Sequence, residues 1–230
     1  MWMIECKELS LGYQGIPVCA PLTFSVKEGA YLCIVGENGS GKTTLIKTLL
    51  GLIRPLSGEI RWGESLRGKP LGYLPQQVES EREFPATVEE VILSGVWKKG
   101  ICIPRVSKRE KEAAYGQAKK LGITNLWNVP FSHLSGGQKR RALLARALCA
   151  TDRILLLDEP AAGLDPLAAE ELYAAIEELN RVEGVTVIMI THELSIAEQY
   201  ATSVLHMGDL PVFYENGKEY FLTGRGGEES

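Results

Sequence analysis

Residues 36–43 read Gly-Glu-Asn-Gly-Ser-Gly-Lys-Thr, a glycine-rich turn closed by a lysine and a hydroxyl. Glycine lets the backbone curl so that successive N–H groups point at one spot, which suits the oxygens of a polyphosphate. Lys42 adds a point charge for the terminal phosphates, and Thr43 offers a hydroxyl to Mg2+. The spacing G-x-x-x-x-G-K-[ST] carries weight because a strand is predicted before it and a helix after it. The positive dipole end of that helix falls at the same place. Gly36, Asn38, Gly39, Ser40, Gly41, Lys42, Thr43 and Thr44 form the candidate nucleotide-binding set.

Two carboxylates end an apolar run at Ile154-Leu-Leu-Leu-Asp158-Glu159. In open α/β sheets, ligands sit beyond the carboxyl ends of the strands. Asp158 is placed to hold Mg2+, directly or through water, and Glu159 to orient or deprotonate an attacking water. Alone, the pair would read as an acidic turn before Pro160; beside a phosphate loop the catalytic reading prevails. A second glycine-flanked helix start lies at Leu134-Ser-Gly-Gly-Gln138. Ser135 can cap it, while Gly136 and Gly137 leave backbone N–H groups open to an anion. As a bare pattern this fits a capped turn equally well.

The elements that must position these residues are legible as alternating strands and helices. Met3–Leu11 and Leu22–Val26 alternate roughly as half-buried strands, and Tyr31–Val35, Ile154–Leu157 and Val185–Ile190 are short apolar runs expected of strands covered on both faces. Helices are predicted at Lys42–Leu52, Lys108–Leu121, Gln138–Cys149, Pro166–Val182 and Glu193–Tyr200. Ser107 with Glu110 makes a capping box, and Asp165 with Pro166 a strong helix start. Strand–helix alternation implies a mainly parallel sheet with helices on its faces. The stretch Val78–Leu134 has little strand character and reads as a mostly helical insertion; Thr223–Ser230 reads as a frayed tail.

Composition sets outer limits. The 230 residues are 45% hydrophobic and 23% charged, which suits one globular α/β unit. A net charge of -4 gives no electrostatic reason to expect nucleic acid. Cys6, Cys19, Cys33, Cys102 and Cys149 are dispersed without C-x-x-C spacing, as in a reducing compartment, and Cys33 is expected to be a small buried hydrophobe. No signal peptide is visible, and no apolar run reaches the roughly 20 residues of a membrane helix, so any membrane role must come through a partner.

LSGGQ at 134–138, GENGSGKT at 36–43 and ILLLDEP at 154–160 together resemble the ATPase subunits of ABC transporters, in the right order and over nearly the whole chain. The resemblance implies an α/β fold: a P-loop NTPase core with a mainly parallel sheet, N-terminal antiparallel strands and a helical sub-lobe, about 78–148, within one domain spanning 1–230. It implies ATP and Mg2+ as ligands. Two copies would pair head to tail, with ATP between the phosphate loop of one and Ser135, Gly136, Gly137 and Gln138 of the other. Tyr13 matches the aromatic that stacks on adenine, and Gln76 the glutamine that touches Mg2+ and the nucleophilic water. Asp165, in GLDP at 163–166, matches the loop that speaks across the dimer, and His192, in ITHE at 190–193, the histidine that contacts the γ-phosphate. Other readings stand beside these. Tyr13 fits a surface aromatic in a turn, Gln77 competes with Gln76, Asp165 fits a helix N-cap, and His192 fits a helix-start histidine without chemistry. His133 and His206 read as structural or exposed. Ala161-Ala162 departs from the more polar residues common at that point, which touches the expected cross-dimer contacts.

Membrane transport is the expected role, at the cytoplasmic face of the membrane through permease subunits, with a solute-binding protein as indirect partner and no nucleic acid. DNA-repair relatives carry a long coiled coil, for which no heptad run is present, and translation-factor relatives usually carry two such domains where one phosphate loop is seen. Glu83–Gly95, with Val204–Met207 and Val212–Tyr214, is similar to importers of zinc, manganese or iron; siderophore and haem importers are the alternative. The cargo does not touch this subunit in that scheme, so no ligand set for it is expected here.

Overall fold

The computed structural model describes residues 1–76, 85–96, 106–151 and 153–223. Its strands are β1 (Trp2–Ser10), β2 (Gly12–Tyr13), β3 (Ile16–Pro17), β4 (Leu22–Lys27), β5 (Tyr31–Val35), β6 (Ser57–Trp62), β7 (Gly72–Leu74), β8 (Ile154–Asp158), β9 (Thr186–Ile190), β10 (Ser203–His206) and β11 (Val212–Tyr214). The helices are α1 (Lys42–Leu49), α2 (Val88–Leu93), α3 (Lys108–Lys120), α4 (Gly136–Ala150), α5 (Pro166–Arg181), α6 (Leu194–Tyr200) and α7 (Gly217–Leu222). Gln77, the Glu83-Phe84 start of the importer-like segment, Cys102 and the tail from 224 onward lie outside the described residues.

The main sheet has six strands in the order β11-β10-β5-β9-β8-β7. Five run parallel, and β11 closes one edge antiparallel to β10. A separate antiparallel sheet, β4-β1-β6, comes from the N-terminal third of the chain. The mainly parallel sheet is the one expected from the strand–helix alternation, and the separate antiparallel sheet matches the N-terminal strands that the resemblance implied. The central runs are apolar at every position because both faces are covered. Leu32 and Ile34 of β5 meet the β1–β4 side and α1, while Tyr31, Cys33 and Val35 meet the side of α4 and α5. Cys33 is fully buried, as expected, and burial drives its thiol pKa far up, so it behaves as a hydrophobe.

Several boundaries differ from the sequence reading for local reasons. Helix α1 stops at Leu49 rather than Leu52, because Gly51 turns left-handed at φ 70°. The N–H groups of Gly51 and Leu52 then close onto the carbonyls of Thr48 and Lys47, a Schellman-type end. Helix α4 begins at Gly136, two residues before the expected Gln138, because Ser135 and Gln138 form a reciprocal capping box that draws both glycines into the first turn. β6, β7 and α2 were not anticipated. β7 has three residues, too few to show a period, and is held as a strand by parallel pairing of Leu74 with Leu157. Within the segment expected to be mostly helical, Thr87 and Pro130 make an antiparallel bridge.

Candidate active site

Four parallel strands of the main sheet end on the same edge, and the candidate residues lie at those ends or within two residues beyond them. β5 leads through Val35 into Gly36, β8 ends at Asp158 before Glu159, β9 leads through Ile190 and Thr191 to His192, and β7 leads through Pro75 to Gln76. Pairing of Leu74 with Leu157 and of Asp158 with Ile190 fixes these exits side by side. The arrangement is the crevice in which open α/β sheets bind ligands.

The phosphate loop is built around backbone geometry that only glycine adopts freely. Gly36 has φ 134°, and a Cβ there would lie 2.1 Å from the Met207 carbonyl oxygen. Gly41, at φ 96°, is the N-cap of α1. Lys42 is buried to 6% exposure, and its ammonium donates to the carbonyls of Gly36 and Glu37, both at 2.6 Å, which fixes the charge at the mouth of the loop. Asn38 and Gly39 are exposed at the turn, and the buried Ser40 hydroxyl has no hydrogen-bond partner among the described residues. Thr44 lies one residue beyond Thr43 on α1, and its hydroxyl stands 3.4 Å from the Tyr13 hydroxyl. Tyr13 sits on the β2–β3 hairpin, half exposed, at the edge of the loop.

Glu159 is the centre of the second cluster. It has φ 47°, a left-handed conformation that costs a non-glycine residue of order 1–3 kcal/mol. The turn aims its carboxylate back over the strand ends. Gln76 Nε2 donates to Oε2 at 2.6 Å, and His192 Nε2 stands 2.7 Å from Oε1. Both oxygens are thus oriented, and each keeps a second lone pair. The preceding Asp158 is 2% exposed. Burial first, and Glu159 second, push its pKa up; Lys47, a hydrogen bond from Thr43, and Lys42 oppose this. Asp158 Oδ1 is buried without a hydrogen-bond partner among the described residues. A carboxylate oxygen left open beside the Thr43 hydroxyl is the donor set a hard divalent cation takes, so the residues fit Mg2+.

Ser135, Gly136, Gly137 and Gln138 stand apart from this cluster within the chain. Ser135 and Gln138 bond to each other, and the two glycines face Leu164 and Ala168 around the start of α5, where a Cβ would approach to 3.1 and 3.0 Å. Asp165 is exposed and caps α5, accepting from the Ala168 N–H at 3.0 Å. His206 is structural, with Nδ1 at 3.1 Å from the buried Tyr220 hydroxyl; His133 is exposed. The sequence pattern gave no role to Arg140. It is 8% exposed, and its guanidinium donates to the carbonyls of Pro75, at 2.8 Å, and of Gln76. The signal was available: Arg140 shares a face with Leu143, Leu144, Ala147 and Leu148, all buried.

Against known proteins, the sequence profile described as "ABC transporter" matches residues 19–162, more than half the chain. The chain belongs to the ABC transporter family. As an ABC ATPase, its activity is ATP hydrolysis. A manganese transport system ATP-binding protein of Bacillus subtilis is 35% identical over 89% of this chain and 83% of its own length. A zinc uptake system ATP-binding protein of Listeria innocua is 32% identical over 95% and 87%. An energy-coupling factor transporter ATP-binding protein of Methanocaldococcus jannaschii is 34% identical over 96% and 81%. Among solved structures, a dimeric ATP-binding cassette in a post-hydrolysis state, bound to ADP and Pi, superposes with a TM-score of 0.72 at 26% identity over 90% of this chain and 95% of that one. Among the described residues, no helix of this ABC ATPase is long and apolar enough to cross a membrane.

Proposed function

We propose that this ABC ATPase energises import of a transition-metal ion, zinc, manganese or iron, by hydrolysing ATP between two head-to-tail copies docked on permease subunits at the cytoplasmic face of the membrane. The observation that carries the hydrolytic part is the convergence of Gln76, Glu159 and His192 beside Asp158 and the phosphate loop. The manganese and zinc relatives support the cargo class. A solute-binding protein outside the membrane would deliver the ion. The chain is read as one domain in which the residues about 78–148 form the lobe that meets the permease.

The residues divide the work as follows. Backbone N–H groups of residues 36–43 and the Lys42 ammonium hold the β- and γ-phosphates, and the Ser40 hydroxyl, without a partner among the described residues, is available to the same oxygens. Tyr13 stacks on the adenine ring. Thr43, Asp158 and Gln76 would hold Mg2+, which would supply positive charge against the charge that develops on the phosphates. Glu159 takes the proton of the attacking water on an oxygen already oriented by Gln76 or His192. His192, 40% exposed on its side chain, steadies the terminal phosphate. The partner copy closes the nucleotide with its own serine–glycine–glycine helix start, whose N–H groups present a second dipole end. ATP then holds the two copies together, and loss of the terminal phosphate weakens that hold.

Deleting the gene and measuring accumulation of zinc, manganese and iron tests the cargo. A deficit in one of these, restored by the wild-type chain and not by Lys42→Ala, is expected. Unchanged accumulation of all three, with loss of uptake of a chelate or vitamin-type cargo, would move the reading to an energy-coupling-factor or siderophore importer.

A further inference from the structure

We propose that Arg140 is a positioning residue for hydrolysis, tying the orientation of α4 to the Gln76–Glu159 hydrogen bond. The proposal rests on the reading of Gln76 and Glu159 given above and names what sets their geometry.

The chain leaves the sheet abruptly after β7. The ladder to β8 ends at the Leu74–Leu157 pair, and Pro75 has no N–H to extend it. Residues 75 and 76 therefore carry the glutamine side chain on backbone that no strand partner fixes. Arg140 takes over that task from α4. One guanidinium nitrogen donates to the Pro75 carbonyl at 2.8 Å and the other to the Gln76 carbonyl. A planar fork spanning two successive carbonyls fixes position and direction together, which a single ammonium does not. Burial at 8% exposure shields these charge-assisted bonds from competing water.

The next links are short. The Gln76 side chain reaches Glu159 at 2.6 Å. Glu159 in turn is held in its left-handed turn by the Asp158–Ile190 pairing and by its own N–H on the Ile190 carbonyl at 3.2 Å. The sheet side of the Gln76–Glu159 bond is therefore fixed, and the Gln76 side moves with α4. Arg140 lies close to the N-terminal start of α4, where the exposed Ser135 cap is about 7.5 Å away along the helix at 1.5 Å per residue. Contact of that start with a nucleotide on the partner copy is thereby relayed, through one rigid helix, to the orientation of this copy's own carboxylate.

The test is a double-mutant cycle on the full-length purified chain with Mg·ATP, comparing wild type, Arg140→Met, Arg140→Lys, Gln76→Ala and Arg140→Met with Gln76→Ala. Arg140→Met is expected to lower kcat about ten- to a hundredfold, the upper figure being the scale of a catalytic group misplaced by about 1 Å, with KM for ATP within about twofold. Arg140→Lys, which keeps the charge and loses the fork, is expected to recover part of that rate. The double variant is expected to be no slower than Gln76→Ala alone, because Arg140 acts through Gln76. The proposal is overturned by a wild-type kcat in Arg140→Met, or by losses that multiply in the double variant. It is equally overturned if Lys and Met both raise KM and lower the melting temperature alike, the mark of a packing role. If Gln76→Ala turns over at the wild-type rate, the role of Gln76 falls and this proposal with it. If Gln76→Ala is slow and Arg140→Met is normal, only the proposal fails.

Discussion

Replacing Glu159 by glutamine separates chemistry from structure at this site. The carboxylate accepts from Gln76 Nε2 at 2.6 Å on one oxygen and meets His192 Nε2 at 2.7 Å on the other. An amide of the same shape can keep both contacts. Its oxygen faces Gln76, and its NH2 donates to His192 Nε2 in the tautomer that carries its proton on Nδ1. The turn at φ 47° is unchanged, because glutamine and glutamate have the same backbone preferences there. Folding stability should therefore stay within about 0.5 kcal/mol of wild type, as for substitutions that leave packing and pairing intact. What is lost is proton acceptance from water. A positioned general base contributes about 10²–10⁴-fold, which is about 2.7–5.4 kcal/mol of barrier. Phosphate release should fall by that factor while ATP affinity persists, because Lys42 and the glycine loop are untouched. Light scattering of the variant with ATP should then show a dimer that outlasts the one formed by wild type. Turnover within twofold of wild type in Glu159→Gln would refute the assignment of the base.

Other perturbations test other links. Gly36→Ala should destabilise the fold by about 3 kcal/mol or more in urea denaturation, because its Cβ would sit 2.1 Å from the Met207 carbonyl in a strained backbone; a cost under about 0.5 kcal/mol contradicts the loop geometry. Tyr13→Ala should raise KM for ATP about three- to tenfold, the scale of one aromatic stack, while Tyr13→Phe stays near wild type because the 3.4 Å contact to Thr44 is long. Asp165→Ser keeps an N-cap for α5, so stability should hold; a fall in ATPase rate in that variant reports a role beyond the cap, and an unchanged rate leaves the cap as its whole function.

The fold was legible where burial is two-sided. Tyr31–Val35 was read to its last residue, because a strand covered on both faces must be apolar throughout. Short elements were not legible. β7 has three residues and α2 has six, and their conformations are fixed by neighbours rather than by period. The start of α4 was misplaced by two residues because glycine argues against helix, whereas the Ser135–Gln138 capping box argues for it and prevails. The phosphate loop and the Asp158–Glu159 pair could be read from spacing alone, since both lie at strand ends that the apolar runs mark out. Gln76 could not be assigned a partner from sequence: its contact with Glu159 spans 83 positions and depends on β7 pairing with β8. The burial of Arg140 was legible from its place on the apolar face of α4, but the Pro75 and Gln76 carbonyls it meets were not, since they lie 65 and 64 positions away.

Calorimetric titration of Mg·ATP into the full-length chain, beside the same titration of Lys42→Ala, reaches the centre of the account. Saturable binding of one nucleotide per chain is expected for wild type, with affinity weakened at least about tenfold in the variant, as loss of a buried charge-assisted contact requires. Equal heats from both proteins, or no binding by folded wild type, would contradict it.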